Sequence, residues 1–187
     1  MTEFEVLSVL ISIVIGFGLT HILSGLGRAF HFRRTNKMDA IHIGWTIAVF
    51  LILVLNWWVS LLWLDFEDWT FTVFFTIILW TTSMYVMAIA LYPPHQSGDV
   101  SYREIYETNR TWFLSSFVVM CLLDLTVTYL RDQTSPDLVY TAYIGHFIVL
   151  TAIGVWVSNR SYNLIIAWYI AIALALWSFG VRGTLNL

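Results

Sequence analysis

Asp124 lies in the run Trp112–Leu130, where it is the sole charged residue. A carboxylate in such surroundings is costly and needs a partner or a purpose. In a helix rising 1.5 Å per residue, it stands about 10 Å short of Arg131. Asn56 precedes Asp65 by nine residues, and His146 follows Asp137 by nine. The three polar groups therefore share a depth. Tyr143 sits three residues before His146, on the same helical face. Ser116, Met120, Asp124 and Thr128 share a face of the preceding run. This spacing predicts one intramembrane cluster of Asn56, Asp124, His146 and Tyr143. Two roles fit it. One is a hydrogen-bonded clamp between helices. The other is a proton- or cation-accepting site, because an Asp and a His sharing a proton in low dielectric can be tuned to titrate near neutral pH.

A second group forms around His21, with Thr20 and Ser24 beside it. Ser12, Gly16, Thr20 and Ser24 recur every four residues, a small-residue stripe that admits a neighbouring helix. Gly18, His21, Gly25 and Arg28 make an adjoining face. Ser12, Gly16, Gly18 and Gly25 are thus expected to pack helices closely, with the first helix central to a bundle or seated in a homo-oligomer. A lone histidine here serves packing or binds a ligand. With His146 it raises the alternative of a haem with two axial imidazoles, Gly18 and Gly25 leaving room for the macrocycle, or of a quinone carrier. The different depths of His21 and His146 weigh against one shared haem. His42, near the headgroups, reaches His21 only if its helix slides inward.

The elements that carry these residues are long apolar runs. The chain has 187 residues, of which 59% are hydrophobic and 11% charged. Soluble domains average roughly 25% charged residues. The runs predict six membrane spans over 6–27, 41–64, 69–92, 111–131, 137–158 and 162–182. They are continuous and not alternating, so they are helices and not barrel strands. The expected fold is all-α, a six-helix transmembrane bundle forming a single integral membrane domain over 1–187. The leading Met1-Thr2-Glu3-Phe4-Glu5 is acidic, unlike a cleavable signal. Cys121, the single cysteine, lies within a span and forms no internal disulfide.

Charge sets the expected topology. Arg28, Arg33, Arg34, Lys37, Arg103, Arg110 and Arg160 fall in alternate connections, whereas Arg131 and Arg182 fall on the other side. The positive-inside rule makes the connections 28–40, 93–110 and 158–161 cytoplasmic and places both termini on the periplasmic or extracellular side. Short connections imply that consecutive helices are antiparallel neighbours. Pro93-Pro94 stops the third helix, and Ser101–Thr111 reads as a short helix whose Tyr102, Ile105 and Tyr106 lie on the cytoplasmic interface. Asn109-Arg110-Thr111-Trp112 and Asn159-Arg160-Ser161-Tyr162 read as matching starts of the fourth and sixth helices. Net charge is −3, which points to no nucleic-acid partner.

Motifs for metalloprotease, serine hydrolase, P-loop and dithiol chemistry are absent from the sequence. No span carries an arginine ladder or a lysine, which argues against a voltage sensor or a retinal Schiff base. An enzyme is therefore the less expected class.

Gly16–Leu26, Asn56-Trp57-Trp58, Leu91-Tyr92-Pro93-Pro94 and Tyr106–Phe113 resemble stretches of an uncharacterised group of small six-span bacterial inner-membrane proteins. The resemblance implies a stand-alone chain in a bacterial inner (plasma) membrane and brings no chemistry with it. Three functions remain in view. The first is a small proton or cation channel or transporter using Asp124 and His146. The second is a non-conducting sensor or partner subunit that engages a cytoplasmic protein through 28–37 and 93–110. The third is a haem- or quinone-binding protein.

Overall fold

The computed structural model describes residues 3–32, 38–93 and 101–181. Among them are six helices long and apolar enough to cross a membrane, and no strands. They are α1 (Glu3–His31), α2 (Ala40–Val59), α3 (Phe71–Leu91), α4 (Tyr102–Asp132), α5 (Leu138–Trp156) and α6 (Arg160–Gly180). A 3-10 turn, Ser60–Trp63, tightens the end of α2. The outward surface is strongly apolar, with Phe71, Leu138, Trp156 and Phe179 each more than three-quarters exposed. Such a surface suits lipid and not water. The chain is an integral membrane protein.

Side chains start several of these helices. Asp39 accepts from the N–H groups of Ile41 and His42, Thr70 from Val73, Ser101 from Glu104 and Asn159 from Tyr162. Each satisfies N–H groups that a helix start leaves open. The α6 start falls in the Asn159–Tyr162 stretch, with the Asn159 side chain as its cap. The α4 start departs from its sequence reading, because Ser101 begins the helix two turns before Asn109. Tyr102, Ile105 and Tyr106 are then buried in the bundle and do not lie along the interface. Their spacing of three and four aims them inward once the helix is continuous.

The centre of the bundle is α2, not α1. It packs against α1, α3, α4 and α6, whereas α1 packs chiefly on α3 and α2. The buried face of α1 is Leu7, Ile11, Ile15, Gly18, Ile22, Gly25 and Ala29. Gly18 lies against Leu53, and Gly25 against the ring of Tyr92. The stripe of Ser12, Gly16, Thr20 and Ser24 instead lies at the margin of the bundle, with Ser12, Thr20 and Ser24 exposed. A Cβ on Gly16 would meet nothing within 4 Å, and Ser12 accepts from Trp57 Nε1 at 3.2 Å. Branched aliphatics packed the adjacent face, and the small polar residues were left outward.

Charge separates the two ends. Arg28, Asp39, Arg103, Arg110 and Arg160 gather at what we call the basic end. Glu3, Asp65 and Glu67 share a surface hollow at the acidic end, where Gln133 also donates to Asp68 at 2.7 Å. Arg33, Arg34, Lys37 and Arg182 lie outside the described residues, as does the 94–100 stretch of the connection before α4.

Candidate functional site

Asp124 is buried, 8% exposed, and lines a partly enclosed cavity of about 70 Å³ in the acidic half of the bundle. The cavity lies among α2, α3, α4, α5 and α6. Its polar lining comprises Asn56, Asp124, Thr128, Arg131, Tyr140 and Tyr143, and Trp63, Trp80, Phe117, Phe147 and Trp177 give it aromatic walls. The space exceeds the roughly 10–15 Å³ that one water needs, so it has room for water.

Each polar group is positioned by its own element. On α5 the lining residues Tyr140, Tyr143, Ile144 and Phe147 follow the three-four spacing of one helix face. Tyr140 donates its hydroxyl to the Asp124 carboxylate, joining α5 to α4. On α2, Asn56 returns its amide to Ile52 O at 2.8 Å, leaving its side-chain carbonyl directed elsewhere. Arg131 is held at the acidic end by Asp132, Nε to Oδ1 at 2.7 Å. Tyr143 donates to Ala173 O at 3.0 Å and stacks on Trp177 at 4.2 Å between centroids, tying α5 to α6. The indole N–H of Trp80, a lining ring, is buried with no acceptor among the described residues.

Of the predicted cluster, Asn56, Asp124 and Tyr143 line this one cavity, and His146 does not. His146 turns toward α6, where its Nε2 lies 3.2 Å from Tyr169 Oη and its Nδ1 3.3 Å from Ala142 O. The Tyr143 ring, 5.4 Å from the imidazole, separates it from the cavity. One residue before Phe147, His146 sits about 100° off the lining face. Tyr140 takes the place expected for His146 as the partner of Asp124. The i, i+3, i+7 relation of Tyr140, Tyr143 and Phe147 puts it on the lining face without marking it as a partner of Asp124. Trp80 and Cys121 also line the cavity, with no sequence signal beyond apolar spacing.

The basic end holds a second polar network. His21 Nε2 meets Tyr92 O at 2.6 Å, and His42 Nε2 meets Leu91 O at 2.8 Å. The two imidazoles thus donate to consecutive carbonyls at the end of α3, groups that a helix C-terminus leaves open. His21 and His42 do converge, because α3 ends between them. Thr46 Oγ1 lies 3.1 Å from Tyr92 Oη, and the His42 and Tyr92 rings meet edge to face at 4.7 Å. Thr20 and Ser24 face outward and take no part.

The space beside His21 that a macrocycle would need is filled. A Cβ on Gly25 would fall 2.3 Å from Tyr92 Cγ, and one on Gly18 2.8 Å from Leu53 Cδ2. His21 spends its Nε2 on Tyr92 O, and His146, the second imidazole of the haem reading, has its Nε2 against Tyr169 Oη. These residues do not fit a haem.

Further ties close the basic end. Arg160 forms an ion pair with the buried Asp39, and Tyr106 donates to Asn163 Oδ1 at 2.8 Å. Arg110 Nη1 donates to the terminal carbonyls of α5, at Gly154, at Val155 (3.3 Å) and at Val157 (3.0 Å). Burial raises the pKa of Asp39, but the Arg160 guanidinium and the two capping N–H groups outweigh it, leaving the carboxyl below its usual 3.8.

Between the two ends lies an aromatic layer. Trp45 meets Phe113 at 4.9 Å and Phe117 at 5.5 Å, and Phe117 meets Phe147 at 6.4 Å, all edge to face. Phe117 and Phe147 line the cavity, whereas Trp45 and Phe113 do not. No family model matches this chain, and neither does any curated protein or solved structure.

Proposed function

We propose that the chain is a small proton- or cation-handling membrane protein whose acceptor is Asp124. The observation that carries this reading is a buried carboxylate, bonded by Tyr140, on the wall of a cavity with room for water. A clamp alone gains little, since interhelical hydrogen bonds in membranes average about 0.6 kcal/mol. An ionisable group gains a purpose if a proton or cation visits it. Asn56 and Tyr143 line the same wall, and aromatic faces favour a cation. The Trp80 N–H can donate to a water held in the cavity.

Reconstituted in proteoliposomes under an imposed pH or cation gradient, the wild-type chain should carry a pH-dependent flux. Asp124→Asn should reduce it to the level of empty liposomes, and Tyr140→Phe should change its pH profile. Wild-type flux equal to that of empty liposomes across pH overturns transport.

The aromatic layer favours a second reading. The packed rings of Trp45, Phe113, Phe117 and Phe147 are an apolar layer that a conducted ion would have to cross to reach the basic end. A non-conducting sensor would bind at Asp124 and change shape without passing anything. Binding that Asp124→Asn abolishes, with no flux, selects this reading.

A further inference from the structure

A second cavity, of about 360 Å³, lies at the basic end where α4 and α6 meet Ile41 of α2 and the connection that follows α5. Arg110, Arg160, Glu107, Ser158, Asn163 and Tyr106 line it. We propose that it receives a phospholipid headgroup made of a phosphodiester and an alcohol bearing a hydrogen-bond donor, such as ethanolamine or glycerol.

The depth is right for a headgroup. With 31 residues α4 is about 46 Å long at 1.5 Å per residue, against a hydrocarbon core of about 30 Å. Its opening turns, which carry Tyr106, Glu107 and Arg110, therefore project past the acyl chains. The neighbouring surface is apolar: Trp156 is 88% exposed beside Ser158, and Trp112 and Ile165 face outward as well. Acyl chains of a lipid seated in the cavity have a surface to lie on, which a free phosphate would not use.

The charges are complementary to a headgroup with two poles. Each guanidinium carries five N–H donors, and the bonds described above engage one nitrogen of each. Arg110, Arg160 and the Ser158 hydroxyl can surround a phosphodiester, and the positive end of the α6 dipole adds to them. Glu107 introduces an acid into the same cavity. It is held by Arg103 at 2.7 Å and both are more than half exposed, so it remains in reach of a ligand. A carboxylate beside two arginines is misplaced for a bare phosphate. It suits an ammonium or hydroxyl on the far side of the phosphodiester. Choline offers no such donor.

The test adds dioleoyl phosphatidylethanolamine, phosphatidylglycerol, phosphatidylcholine or inorganic phosphate to the purified full-length chain, with retention measured by native mass spectrometry. Ethanolamine and glycerol lipids should be retained about tenfold better than choline lipid, the value of one charge-assisted hydrogen bond. Glu107→Gln, an exposed change that should fold normally, should bring the ethanolamine and choline lipids to parity. Arg160→Gln should weaken all three lipids. Equal retention of ethanolamine and choline lipids by the wild type overturns the proposal, as does a preference that Glu107→Gln leaves unchanged. Equal binding of inorganic phosphate overturns the lipid assignment.

Discussion

At the residue scale, two glycines of α1 and one aspartate make separable predictions. Gly25→Ala forces a Cβ into the buried Tyr92 ring, where neither side can yield. Overpacking of this kind costs about 1–3 kcal/mol. Gly16→Ala meets open space and should be neutral or stabilising by up to about 1 kcal/mol through helix propensity. Chemical denaturation in detergent micelles should rank the two variants in that order. For Asp39, the folded carboxyl titrates below its ordinary 3.8, so its contribution to stability is present above that value and lost as pH falls through the folded pKa. Asp39→Asn should be less stable than the wild type near neutral pH and converge with it in acid. Stability curves that stay parallel to low pH would count against the Asp39–Arg160 tie. Asp124 was legible in the sequence because a lone charge among apolar residues stands out. Tyr140 was not, since a tyrosine at helical spacing reads as packing until its hydroxyl is seen to reach a carboxylate on the next helix. His146 misled because shared depth does not fix the rotation of a helix.

At the scale of elements, the spans were legible from apolar run length, and their ends were less so. The start of α4 at Ser101 was hidden by polar residues that suit either a separate surface helix or the projecting end of a long one. Only packing decides, and Tyr102 and Tyr106 pack inward. The role of Arg110 follows from that continuity. It sits in the third turn of α4 and binds the last carbonyls of α5, where a cation is favoured by the helix dipole. Arg110→Gln should leave those carbonyls short of a partner, at a cost of about 1–3 kcal/mol. Hydrogen exchange should then speed up near Val155–Val157 more than in the middle of α5. Uniform exchange along α5 would mean that the arginine is not the cap. The packing order of the helices was also hidden, because small-residue stripes signal close approach without saying to which neighbour, or to whether any neighbour within the chain.

At the scale of the molecule, an apolar exterior surrounds two polar ends separated by the Trp45–Phe113–Phe117–Phe147 layer. Cys121 is a natural reporter of that arrangement, being the single cysteine and part of the cavity lining. Cys121 is buried on the wall of a cavity too small for a thiol reagent, so a membrane-impermeant reagent should leave it unmodified from either end until the bundle is unfolded. Rapid labelling of the folded protein would mean that the cavity is open wider than the structure shows. The central claim is that Asp124 exchanges a proton or cation with water in the cavity. Infrared difference spectroscopy of the reconstituted protein across a pH series tests it most directly. A protonated-carboxyl band should titrate, shift in heavy water and disappear in Asp124→Asn. A titration identical in wild type and Asp124→Asn would contradict it.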